Sequence, residues 1–511
     1  MNRVSQLKIG VVLSYVYLIL SSIISIIYTP VMLRLLGQSE FGLFNLANSV
    51  VGYLGILNLG LGNAIVRYIS KCRAINDIEG EYNLNGMFIV IYSILGFIVA
   101  ISGVILLFNI DNIFSGSLSN IELEKMKYIM GLMVFNLAVS FPFSVFDSII
   151  IAYEKFVFPK IIGIIRSILN PMIMLPLLFM GYKSITMTLV STILNLLCII
   201  TSMYYCFRIL KIKIKFKKID FSLLKEISIY SFFIFLNIIV DKIYWSTDQF
   251  ILGAVSGSVA VAIYTIGSTL NTYYMSFSTA ISGVFLPKVT SMVTKNSSDK
   301  QLSDLFIKTG RIQYIIMSFI LYGFILVGEE FILLWAGKGY EESFFITLIV
   351  MVPLTIPLIQ NIGISILQAK NMHKFRSSIY VLIAFINLFT SIPLAKMYGG
   401  IGAAISTGIS FFIGNIIIMN IYYYKKIGID IPNFWRQIGK MTVPITISLL
   451  ASISIFKYLD ISGVLSIVVK GGLFTFIFLV LTWNFAMNSY EKDLFIKPVN
   501  KVLLKLGVKR S

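Results

Sequence analysis

Residues 9–33 read IGVVLSYVYLILSSIISIIYTPVML, twenty-five positions without one charge, and Arg34 closes the run. A bilayer core about 30 Å thick takes around 20 such residues to cross as a helix. Lipid offers no partner to an unpaired backbone N–H or C=O, so the crossing segment has to be helical. The same signature recurs along the chain. About fourteen spans are expected, near residues 9–35, 43–66, 84–108, 127–151, 161–180, 185–207, 225–253, 259–286, 308–335, 344–367, 377–396, 401–424, 438–458 and 464–488.

Composition agrees. Of 511 residues, 57% are hydrophobic and 13% charged, and the mean hydropathy is +0.89. A soluble domain has roughly 45–50% apolar and about 25% charged residues, so such a fold is excluded. Met1 to Lys8 runs into the first span with no A-x-A-like cleavage site, and reads as the start of a transmembrane helix. Cys72, Cys198 and Cys206 show no paired spacing and read as small packing residues. His373 is the only histidine, which leaves a zinc site or a histidine relay little to work with.

The net charge of +19 marks topology, because lysines and arginines crowd into alternate short loops. About 32 of the 42 basic residues fall on one side, among them Arg73, Lys155, Arg208, Lys300, Lys374, Lys426 and the tail to Arg510. The positive-inside rule places both termini there, in the cytoplasm. The longest outer loop, Asn109 to Met126, is too short for a domain, so function has to sit within the bundle. The basic connector Arg208 to Phe221 divides the chain after six spans. Two Leu-Gly turns look related: Leu36-Gly37 before Phe41-Gly42-Leu43-Phe44, and Leu252-Gly253 before Ala262-Ile263-Tyr264. They lie about 216 residues apart, and six spans per half imply a parallel repeat with its axis along the membrane normal.

Three stretches carry a family resemblance. They are Leu35-Leu36-Gly37-Gln38-Ser39-Glu40-Phe41-Gly42-Leu43-Phe44, Leu57-Asn58-Leu59-Gly60-Leu61-Gly62-Asn63-Ala64 on to Lys71, and Thr247-Asp248-Gln249-Phe250-Ile251-Leu252-Gly253. With Pro287 and Gly402-Ala403-Ala404 in order, the chain resembles the polysaccharide-transporter branch of the MOP exporter superfamily, the O-antigen and exopolysaccharide flippases. The resemblance implies an all-α polytopic fold like that of the MATE exporters. Residues 1–207 would form one six-helix lobe, 208–224 a cytoplasmic connector, 225–424 the second lobe, and 425–511 two extra helices and a tail. It also implies a carrier in the bacterial inner membrane, working by alternating access. Its cargo would be an oligosaccharide on undecaprenyl pyrophosphate, its partners membrane lipids and the polymerase machinery that receives the cargo.

A charge near a span centre costs about 2.5–3.5 kcal/mol and needs a reason. Asn237, Asp241, Tyr244, Trp245 and Asp248 fall on one helical stripe of span seven. Carboxylates, an amide and rings suit sugars, so the stripe is expected to line the cavity; the alternative is that Asp241 and Asp248 pair with basic or hydroxyl groups inside the second lobe. Lys242 points about 100° away and could meet pyrophosphate or pack against a neighbour. Arg34 could grip phosphate, close an outer gate against Asp248, or snorkel to headgroups. Arg67 reads as a cytoplasmic-side anchor, or as an inner-side contact for the cargo. Asp147 and Arg166, on spans joined by a short loop, are expected to form a structural ion pair.

No nucleophile, base and orienter assemble, and no Gly-rich phosphate loop follows a strand, so neither an enzyme nor an ATPase is expected. No cofactor or nucleic-acid partner is expected. An ion gradient of H+ or Na+, or consumption of the cargo outside, would drive transport. A cation-coupled multidrug exporter of the same superfamily remains open, although span one lacks the carboxylate those carriers use. So does a lipid II flippase, which would be expected to carry more cavity cations.

Overall fold

The computed structural model describes residues 3–216, 221–295, 297–370, 372–494 and 496, and among them every regular element is a helix. In chain order these are α1 (Arg3–Leu36), α2 (Gln38–Leu54), α3 (Leu61–Ala74), α4 (Ile78–Phe108), α5 (Ile110–Phe114), α6 (Asn120–Ala152), α7 (Val157–Phe179) and α8 (Ser184–Tyr204). Then come α9 (Phe221–Val255), α10 (Ser258–Thr294), α11 (Asp299–Trp335), α12 (Glu342–Ile359), α13 (Ile362–Ala369), α14 (His373–Phe411), α15 (Met419–Tyr422), α16 (Ile431–Phe456) and α17 (Gly463–Leu481). Side-chain caps set several starts. Ser119 and Glu122 form a capping box on α6, and Asp77 accepts from Gly80 N at 2.8 Å on α4.

Among the described residues, eleven helical runs are long and apolar enough to cross a membrane, where about fourteen were expected. The run Phe375–Ile427 holds two of the expected spans, divided at Gly399 (φ 56°). The expected spans 225–253 and 259–286 lie in α9 and α10, which contain side chains outside the described residues.

The chain divides into two compact units, Met1–Thr265 with Leu388–Ala403, and Ile266–Asn387 with Ala404–Ser511. In the first, α6 packs on α2, α3, α4 and α8, while α7 packs on α1 and α8. Leu46, Ala64, Ile65, Phe88, Met126 and Val145 fill its interior. In the second, α11 packs on α12, α16 and α17 around Phe306, Met317, Ile332, Phe434 and Phe478.

The register of the repeat differs from the one expected. Gly253 lies inside α9, and the turn that matches Gly37 (φ 81°) is made at Gly257 (φ 85°). A left-handed φ is needed where one span reverses straight into the next, and glycine adopts it freely. Gly37 to Phe44 therefore corresponds to Gly257 to Tyr264, and Gly42 to Ala262.

Candidate functional site

The second span breaks in the middle. After Leu54 the chain tightens into a 3₁₀ turn, Gly55–Asn58, and Leu59 (φ 53°) and Gly60 (φ 66°) are both left-handed before α3 begins. The break lies near the centre of the 37-residue run Gln38–Ala74. Residues 55–59 are half-exposed, Asn63 is exposed, and a Cβ at Gly55 would meet nothing within 4 Å. Irregular backbone at membrane depth persists only where protein covers it or where it lines a water-filled cavity. Tyr92 Oη of α4 donates to Asn58 Oδ1 at 2.8 Å and fixes one edge of the turn.

Helix α9 runs alongside α2, the break and α3. Half-buried Lys242 lies against Gly52, just before the break, where an added Cβ would come 3.0 Å from its Nζ. One turn further, Thr247 Oγ1 and Tyr53 Oη share a 2.6 Å hydrogen bond. Asp248 is 2% exposed, and its carboxylate accepts from the Tyr264 hydroxyl and from Ser391 Oγ at 2.9 Å. Those partners lie on α10 and α14, so hydroxyl pairing among the later spans is what this carboxylate shows. The side chains of Asn237, Asp241, Tyr244 and Trp245 lie outside the described residues.

Arg34 is exposed at the end of α1. Arg67 is exposed on α3, its guanidinium 5.7 Å from the centre of the Tyr68 ring. The expected ion pair between Asp147 and Arg166 does not form. Arg166 Nη1 donates to Asn195 Oδ1 at 3.1 Å. Asn195 is on α8, which packs on both α6 and α7 and so stands between the two expected partners.

Two carboxylates that the sequence reading passed over anchor the ends of α2 and α6. Glu40, 6% exposed, pairs with Lys125 and with the hydroxyl of Ser184, whose backbone N–H also donates to it at 3.4 Å. Glu122 accepts from Ser39 Oγ at 2.6 Å, from Ser258 Oγ, and from Ser119 N and Oγ at 3.0 and 2.8 Å. The spacing Ser119-x-x-Glu122 was the available signal, since that pattern starts helices. Among the described residues no group of His, Cys, Asp and Glu could hold a metal ion.

This is the fold of a multi-pass membrane carrier. The chain aligns with the lipid II flippase MurJ in an inward closed conformation at a TM-score of 0.71 and 14% identity, covering 96% of this chain and 99% of that one. With an inward-facing multidrug-resistance MATE transporter of the MOP superfamily the TM-score is 0.60 at 15% identity, covering 78% and 99%. A Shigella flexneri protein described as an O-antigen transporter is 22% identical over 400 residues, 76% of this chain and 91% of its own. A Haloferax volcanii protein described as a flippase of low-salt glycan biosynthesis is 22% identical over 261 residues, 50% and 53%. The profile of the family described as "Polysaccharide biosynthesis protein" matches residues 8–293. The chain belongs to that family, as its motifs led us to expect.

Proposed function

We propose that this protein flips an oligosaccharide carried on undecaprenyl pyrophosphate across a bacterial inner membrane by alternating access, with both termini in the cytoplasm. The observation that carries this reading is the interrupted second span. The break frees backbone N–H groups at the start of α3, and a helix start favours anions. Lys242 brings a cation to the preceding turn, and Asn58 and Asn63 offer amides to sugar hydroxyls. Broken helices mark the substrate sites of several transporter folds. The relatives described as O-antigen and glycan carriers support the same cargo class.

Cells lacking the protein are expected to lose their surface polysaccharide and to accumulate undecaprenyl-linked oligosaccharide on the inner leaflet. Normal polysaccharide together with new sensitivity to cationic drugs would sink the reading. Arrested peptidoglycan synthesis with polysaccharide intact would point to lipid II instead. Lys242→Ala tests the site itself. A unit charge pair at 4 Å is worth roughly 4 kcal/mol at an effective dielectric near 20, before desolvation. Losing about a third of that lowers export about tenfold at unchanged protein level.

A further inference from the structure

Gly42, near the start of α2, lies against Ser258 and Ala262 at the start of α10. A Cβ on Gly42 would lie 3.2 Å from Ala262 N and only 1.8 Å from Ser258 O. α2 and the start of α10 therefore cross so closely that no side chain fits at Gly42. This crossing lies at the ends of α2 and α10 beside the sparsely charged turns, the outer face by the distribution of basic loops. Glu122 stands over it. Ser39 of the first repeat and Ser258 of the second both donate to its Oε1, and the two hydroxyl oxygens are 3.4 Å apart. Alongside, Ser117 Oγ donates to Gly253 O at 2.6 Å, holding the end of α9 to the segment before α6.

From this we infer that Glu122 is an outer latch, holding the α9–α10 turn of the second repeat against α2 and α6 of the first, and that releasing Ser258 opens the outer side. The inference rests on the carrier reading. Neighbouring Glu40 acts differently, because its partners Lys125 and Ser184 lie in the first repeat, and it braces one repeat without joining the two. The Ser119 contacts of Glu122 cap α6 and stay with the first repeat when the latch opens. The Ser258 hydroxyl has to leave Glu122 and Gly253 O has to leave Ser117, while Ser39 keeps the carboxylate partly satisfied.

The test uses the full-length protein in membranes, lacking Cys72, Cys198 and Cys206, with Gly55→Cys as reporter in the open space at the break. Ser258→Ala removes the moving donor and keeps the α6 cap; Glu122→Ala removes the whole latch. Each is expected to raise outside labelling by an impermeant thiol reagent about tenfold, the shift that about 1.4 kcal/mol produces. In the same background Ser39→Cys with Ser258→Cys puts two thiols within disulfide reach. Its oxidation should suppress reporter labelling, and in the same pair without the Gly55→Cys reporter it should suppress polysaccharide export, a reductant restoring each. Labelling that ignores both alanine variants, or a pair that will not cross-link, overturns the latch. Labelling needs no cargo, so a latch that responds in a protein whose loss leaves polysaccharide intact refutes the cargo reading alone.

Discussion

Asp248 shows how a charge that looks exposed to cargo in sequence can be held by its own fold. Its position on a polar stripe was legible, because helical periodicity needs only local information. Its partners, Tyr264 and Ser391, lie 16 and 143 residues away, and no local rule reaches the second. The same limit undid the pairing of Asp147 with Arg166, since sequence suggests that consecutive helices are neighbours and α8 takes that place for both. If the carboxylate is structural, Asp248→Ala removes the acceptor of two buried hydroxyl hydrogen bonds and costs about 1–3 kcal/mol. Asp248→Asn keeps an acceptor oxygen and costs less. Thermal unfolding of the purified protein in detergent checks the order, and an asparagine variant as unstable as the alanine one refutes it.

At the scale of elements, most helices were readable from hydropathy, but the break in the second span was not. A window of about 19 residues averages over Gly55–Gly60 and reports one continuous span. The legible trace was Asn58-Leu59-Gly60-Leu61-Gly62-Asn63, whose glycines and amides sit within an otherwise apolar run. A left-handed Gly60 tolerates no side chain freely, and the handedness penalty is about 1–2 kcal/mol. Gly60→Ala is expected to lower export at normal protein level, whereas Leu59→Gly, which relieves the same kind of strain, should be tolerated. Equal loss in both would detach the break from transport. A second element-scale device is the clamp on the far end of α17. Arg311, 6% exposed, donates through Nε and Nη2 to Glu491, 1% exposed, at 2.6 and 2.9 Å, and also to Gln437 and Ala486 O. Removing one partner of such a buried pair typically costs about 3–5 kcal/mol. Glu491→Gln should therefore release the chain after α17 to proteolysis, and a digestion pattern unchanged from wild type counts against the clamp.

For the whole molecule, the sequence carried membrane residence and helical class, because lipid imposes the same demand on every span. The Leu-Gly turn expected at Gly253 is made four residues further on, at Gly257. A Leu-Gly pair looks alike inside a helix and at a turn, and only the left-handed φ at Gly257 separates them. Orientation is the whole-molecule property on which the outer latch depends, and it comes from counting charges. About 32 basic residues on one face against seven on the other make reversal unfavourable, since each short cationic loop would have to be translocated. Lys338, in the exposed turn between α11 and α12, and Lys300, exposed at the start of α11, lie at opposite ends of one 37-residue helix. With the three native cysteines removed, Lys338→Cys should label from outside intact cells, and Lys300→Cys only once the membrane is opened. The two sites share a helix, so local misfolding cannot exchange them. Labelling of Lys300→Cys alone from outside would invert the molecule, placing the Glu122 latch on the cytoplasmic side and reversing the direction in which it gates.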